Sequence, residues 1–247
     1  MNRLAALLLT TTLLASASAA GADARVGSYR ESSTVVEVAG EEWAANFSSY
    51  VDADQKVTWS VVVPESYDPE KPAGILVYIS PGNSGRIVRD WVSVLEEQNL
   101  IWVSAGRSGN NIDPRKRIAY ALLGPTLIAK NYRIDASRIY VAGLSGGGRV
   151  ASIVAPSYPT LFKGAIYICG VNPVAEELAD SLGALQSNRF VFVTGEHDFN
   201  RAETRKVHDE YLQLGMDNSH YLEFNRMGHE NPDAEGIAEA IAFLDSR

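Results

Sequence analysis

The chemistry of this chain concentrates at one serine. Arg138 to Ser152 reads RIYVAGLSGGGRVAS, so that Gly143-Leu144-Ser145-Gly146-Gly147 forms G-x-S-x-G between an apolar strand pattern and a helical one. The strand–turn–helix setting is what makes the motif credible. A serine on such a turn holds its hydroxyl out at the carboxyl edge of a sheet. A side chain at Gly143 or Gly147 would collide with the adjacent strand or helix. The N–H of Gly146, at the helix start, points to where a carbonyl oxygen gains negative charge during nucleophilic attack. A Gly-rich phosphate-binding turn shares the glycines, but the flanking strand and helix favour a nucleophile.

A nucleophilic serine needs a base, and the base needs an orienting acid. For this motif the chain order is serine, acid, histidine, with each partner on a loop after a later strand. Phe190–Thr194 is followed by Gly195-Glu196-His197-Asp198, and Tyr221–Phe224 by Asn225-Arg226-Met227-Gly228-His229. Asp198 and His229 therefore occupy the two loops the geometry requires. Glu196 is an alternative orienter, as are Glu176, Glu177 and Asp180 after the Gly164–Cys169 strand. His197 adjoins the acid and could line the site. His208 falls on the polar side of a helix and His220 opens a strand, so both read as solvated surface residues. Cys169, the single cysteine, reads as a small buried thiol.

These loops imply elements to carry them. Strand patterns run over Lys56–Val63, Ala73–Ser80, Leu100–Ala105, Arg138–Ala142, Gly164–Cys169, Phe190–Thr194 and Tyr221–Phe224. Helical patterns run over Asp90–Gln98, from Asp113-Pro114 to about Tyr132 with a kink expected at Gly124-Pro125, from Ser145, over Arg201–Leu214 and over Asp233–Leu244. Several strands are apolar at consecutive positions, the pattern of parallel strands covered on both faces. Alternation of strand and helix then predicts a mostly parallel, doubly wound α/β sheet with helices on both faces. Ser33–Val63 reads as strands without intervening helices, an antiparallel N-terminal edge. No repeat, linker or internal boundary interrupts the pattern.

The stretch from Ile134 through the elbow to Gly148, with Pro159, Phe162 and the Gly164–Cys169 strand, resembles the α/β-hydrolase superfamily. Within it, the chain looks like secreted esterases of the polyhydroxybutyrate depolymerase and feruloyl esterase kind. The resemblance spans roughly Val57 to Leu244 and is specific around Ser145, Asp198 and His229. It implies one α/β-hydrolase domain over residues 20–247, with Ser145 as nucleophile, His229 as base and then acid, and Asp198 as orienter. Gly146 N–H and an N–H near Asn83 would form the oxyanion hole. One departure stands out: such esterases often carry His-Gly after the strand that supplies the second oxyanion donor, whereas here the strand ends in Ser80-Pro81-Gly82-Asn83-Ser84-Gly85.

Composition and charge narrow the function classes. The chain has 247 residues, a net charge of −8 and no arginine-rich run, which argues against nucleic acid as a partner. A single cysteine excludes an internal disulfide and a Cys-rich zinc site. The first residues, MNRLAALLLTTTLLASASAA, follow the order of a secretory signal peptide, with Arg3, an apolar core and Ala17-Ser18-Ala19. Cleavage after Ala19 (residues 1–19) would remove Arg3 and take the charge from −8 to −9. The apolar core is short of the ~20 residues that span a bilayer. The sequence thus predicts an exported, secreted or periplasmic serine hydrolase of carboxylic esters, without metal or organic cofactor and off the membrane after cleavage. Its substrate would be a small or polymer-attached ester. A secreted serine peptidase, an acyltransferase and a catalytically silent binding domain share the fold. No segment is spare to build a lid, since Gly170 to Asn188 holds only one short helix and Asp198 to His229 only a helix and a strand.

Overall fold

The computed structural model of the chain describes residues 24–175 and 182–246. Residues 1–19, expected to form a signal peptide, and Glu176, Glu177 and Asp180 lie outside the described residues. Eight strands form one sheet: β1 Gly27–Thr34, β2 Lys56–Val63, β3 Ala73–Ile79, β4 Leu100–Ala105, β5 Ile134–Leu144, β6 Gly164–Ile168, β7 Arg189–Gly195 and β8 Ser219–Phe224. Their order is β1-β2-β4-β3-β5-β6-β7-β8. β2 pairs antiparallel with both β1 and β4, and every pairing from β4 to β8 is parallel. The order reverses between β3 and β5, and open α/β sheets place ligands outside the carboxyl ends of strands at such a reversal.

Alternate strand residues feed two separate cores. Ile75, Val77 and Ile79 of β3 join one apolar cluster, and Leu76 and Tyr78 join the other. The first cluster packs under helices α4 (Pro114–Ala129), α5 (Gly146–Ser157), α6 (Leu182–Gln186) and α7 (Arg201–Gln213), through residues such as Leu122, Val154, Leu185 and Tyr211. The second packs under α3 (Val92–Glu97) and α8 (Ala234–Asp245), through Leu95, Ile237 and Ile241. Burial of both faces explains the continuous apolar runs in the strands. Helix α4 has Asp113 as N-cap, its side chain accepting from Arg115 N–H, and Pro114 in its first turn. It continues through Pro125 to Ala129. Gly124 lets it approach the sheet, because a Cβ there would already stand 3.2 Å from Val103 Cγ1.

The reading of Ser33–Val63 as strands without helices needs correction. β1 ends at Thr34, and two short helices, α1 (Val35–Ala39) and α2 (Glu41–Asn46), precede β2. Thr34 and Glu37 form a capping box, with Thr34 Oγ1 accepting from Glu37 N–H and Glu37 Oε2 accepting from Thr34 N–H. Val35, Val38, Trp43, Ala44 and Phe47 then face the core. In VVEVAGEEWAANF the apolar residues sit close enough to alternation to pass for a strand, while the cap and the burial of this stripe select helices.

Candidate active site

Ser145 leaves β5 with φ 56° and ψ −121°, a left-handed conformation that a side chain rarely adopts. Its neighbours hold it there. Ser145 N–H donates to the Ile168 carbonyl at 2.7 Å, tying the turn to the end of β6. A Cβ on Gly147 would lie 1.8 Å from the Ile79 carbonyl oxygen, and one on Gly143 would lie 2.4 Å from the carbonyl carbon of Gly147. Strand, turn and helix can pass this close only without side chains at those two positions. The Ser145 side chain does not cap α5. Among the described residues its hydroxyl makes no hydrogen bond to His229.

Two loops after β7 and β8 are laced together by their backbones. Glu196 N–H donates to the Phe224 carbonyl at 3.0 Å and His197 N–H to the Met227 carbonyl at 3.0 Å. Gly195 makes room, since a Cβ there would stand 2.0 Å from the Met227 carbonyl oxygen. From behind, Trp91 Nε1–H donates to the Pro232 carbonyl at 2.9 Å and Tyr78 hydroxyl to Asn231 Oδ1 at 2.8 Å. This lacing brings His229 Nδ1 to 2.7 Å from Asp198 Oδ1. Thr194 hydroxyl donates to Asp198 Oδ2 at 2.7 Å and Asn200 N–H to Oδ1 at 3.1 Å. Burial pushes the Asp198 carboxyl up, but hydrogen bonds from His229, Thr194, Asn200 and the Cys169 thiol outweigh it and hold its pKa below the usual aspartate value. An ionised carboxylate only accepts, so Nδ1 carries the proton and the neutral ring's Nε2 keeps its lone pair.

The other sequence candidates sit elsewhere. Glu196 Oε2 accepts from Arg226 N–H at 3.3 Å, and His197 is exposed on the same loop. His208 corrects its surface reading: its side chain is 12% exposed, packed between Phe192 and Tyr221. His220 is half-buried and stacks on Phe243. Asn83 is tied to the loop after β4, its side-chain Oδ1 accepting from Gly109 N–H at 3.0 Å and its backbone carbonyl from Arg107 N–H at 2.7 Å.

Several residues at the site carry no sequence signal strong enough to single them out for it. Cys169 is buried, adopts φ 51°, and places its thiol 3.4 Å from the Glu230 carbonyl. Its donor atom and those of Asp198 and His229 lie within 4.8 Å of one another. Burial pushes the thiol pKa far up, with the Asp198 charge adding to it, so the metal-binding thiolate is disfavoured. Phe199 follows Asp198, is 77% exposed, and stacks on the His229 ring at 4.0 Å between centroids. Asn110 rests its amide against Gly146, where a Cβ would lie 2.2 Å from Asn110 Oδ1. An aromatic residue beside a candidate acid was the one available hint for Phe199, whereas Asn110 becomes a neighbour only through folding.

The strand order, the reversal at β3/β5 and the elbow after β5 define an α/β-hydrolase fold. Solved structures similar to the chain have that fold. A feruloyl esterase module from Clostridium thermocellum, complexed with sinapinate, superposes with a TM-score of 0.64 at 14% identity, over 88% of this chain and 87% of that one. A ferulic acid esterase gives a TM-score of 0.62 at 15% identity, covering 89% of this chain and 98% of that one. A dipeptidyl peptidase 4 from Porphyromonas gingivalis gives 0.59 at 17% identity, covering 89% of this chain but 35% of that one. No family model matches the chain. No curated protein matches it either.

Proposed function

We propose that this protein is an exported serine esterase working through Ser145, His229 and Asp198. The observation that carries the reading is the 2.7 Å contact between His229 Nδ1 and buried Asp198, at the same sheet edge as a serine in a strained strand-to-helix turn. Cys169-Gly170 joins the two halves: a Cβ on Gly170 would lie 2.4 Å from the Ser145 carbonyl oxygen, and the Cys169 thiol reaches the loop of His229. In this reading Ser145 Oγ attacks the ester carbonyl and His229 Nε2 takes its proton. Asp198 fixes the tautomer and stabilises the imidazolium. The N–H groups of Gly146 and Asn83 receive the oxyanion. His229 then protonates the departing alcohol, and water repeats the sequence on the acyl-enzyme. Export is supported by the order of the first residues. Among the described residues no helix is long and apolar enough to cross a membrane. The esterases among the similar structures favour ester over amide substrates.

A fluorophosphonate probe with p-nitrophenyl acetate turnover tests this directly. Wild type should be labelled at Ser145 and turn over the ester. Ser145→Ala should abolish both, and Asp198→Asn should lose on the order of 10⁴ in kcat through the wrong tautomer. A wild type that neither labels nor turns over would instead mark a silent binding domain. Turnover of peptide but not ester substrates would move the reading to a peptidase.

A further inference from the structure

Arg117 is a buried cation that the mechanism above leaves unused. It lies in the first turns of α4, is 3% exposed, and has no carboxylate within ion-pair distance among the described residues. Burying a charge without a counter-charge is costly, and such groups are normally paired or absent. Burial alone pulls its pKa down, to about 10, which leaves it charged at neutral pH. Its Nε has no hydrogen-bond partner among the described residues. The two terminal nitrogens have other partners: Nη1–H donates to the Gly146 carbonyl at 3.1 Å, and Nη2–H donates to the Ser80 carbonyl at 2.9 Å.

Those two carbonyls are not arbitrary. Ser80 directly follows β3 and leads into Pro81–Gly85, which holds Asn83. Gly146 follows Ser145 and opens α5. The guanidinium therefore joins the two backbone segments that, in the proposed mechanism, each supply one oxyanion donor. The planar fork of an arginine suits this task, because two donors leave it at a fixed separation. A lysine offers one rotating ammonium on a flexible stem. The retained positive charge also favours a site whose negative charge is transient, since the ground state of an ester brings none.

We propose that Arg117 is a positioning residue for the oxyanion hole, clamping the Ser80 end of β3 to the Ser145–Gly146 turn so that the two N–H donors keep the spacing an oxyanion requires. This rests on the esterase reading. It makes a distinction that a purely structural arginine would not. Donor misplacement raises the cost of the transition state and leaves ground-state binding alone, so kcat falls and KM holds.

The test compares wild type, Arg117→Met, Arg117→Lys and Arg117→Ala on p-nitrophenyl acetate, with each folded fraction measured by thermal melting. Arg117→Met should lose about 10²-fold in kcat per folded molecule, the scale of a misplacement of about 1 Å, with KM changed less than about threefold. Inhibition by phenylboronic acid, which forms an anionic tetrahedral adduct on the serine, should weaken in parallel with kcat. Arg117→Lys should fall between wild type and Arg117→Met, and keeps the test available if the methionine variant does not fold. Millimolar guanidinium chloride should partly and saturably restore kcat in Arg117→Ala, which a fold-stabilising role would not produce. A kcat per folded molecule within threefold of wild type, or a loss carried by KM alone, overturns the role of Arg117 while leaving the esterase intact. A wild type without ester turnover sinks the esterase reading, and the Arg117 role falls with it.

Discussion

Asp198 makes the residue scale quantitative, because its chemistry is tied to pH. Its carboxylate accepts from His229, Thr194 and Asn200 at 2.7, 2.7 and 3.1 Å, and its folded pKa lies below that of a free aspartate. The folded state thus binds fewer protons than the unfolded state in the acid range. The stability so contributed is fully present above the unfolded value of about 3.9 and is lost as pH falls through the folded one. Urea unfolding of wild type and Asp198→Asn between pH 2.5 and 6 should therefore show a stability gap that narrows as pH drops below about 4. A gap independent of pH would mean that the carboxylate hydrogen bonds contribute nothing to folding. Phe199 adds a second residue-scale feature. Its ring covers one face of His229, so an imidazolium formed during turnover would lie against an aromatic face that favours cations.

At the scale of elements, the molecule concentrates strain where strands end. Five non-glycine residues among those described have positive φ, and four of them, Arg107, Ser145, Cys169 and Arg226, follow the carboxyl ends of β4, β5, β6 and β8. Backbone held in sparsely populated conformations gathers where the surrounding packing over-determines it. The elbow shows how tight that packing is. At Gly147 an added methyl group meets the rigid Ile79 carbonyl at 1.8 Å, but at Gly146 it meets only the amide end of exposed Asn110. Gly147→Ala should therefore cost about 3 kcal/mol or more, at the upper end of overpacking penalties, while Gly146→Ala should stay within ~1 kcal/mol. Equal midpoints for the two variants in chemical denaturation would show that α5 can shift away from β3.

The whole molecule bears on which esters can enter. Among the described residues after β6, Val171 and Leu185 are buried, and Val174 and Leu182 pack on the core. Between Asp198 and His229 the chain is taken up by α7 and β8. Phe199 is the large apolar side chain left exposed beside His229. For the proposed esterase, the described parts of these segments are in keeping with a shallow, open site, suited to short acyl chains or to ester groups projecting from a polymer. Each further CH₂ gains ~0.8 kcal/mol only where a groove buries it. Rates on p-nitrophenyl esters from acetate to palmitate should peak at short chains, without a jump above the micelle concentration. A maximum at twelve or more carbons would overturn the open-site reading.

Local pattern determined much of this in advance. The elbow glycines, the apolar parallel strands and the two late loops are short-range signals, each readable because a backbone conformation or a burial pattern selects its residues. The class of fold and the candidate residues Ser145, Asp198 and His229 are legible in such signals. Chain order pointed to Asp198 but left Glu196 as an alternative, and only the lacing of the β7 and β8 loops through Gly195 and Met227 puts Asp198, and not Glu196, against the imidazole. The same holds for α1 and α2, where a cap and a core stripe overrode an apparent alternation, and for His208, drawn from a polar helix face into a gap between two aromatic rings. Arg117 is the extreme case. In the sequence it is one of 22 basic residues in an ordinary helix. Its role depends on two carbonyls 37 and 29 residues away, and contacts at that separation exist only once the sheet has brought its strand ends together.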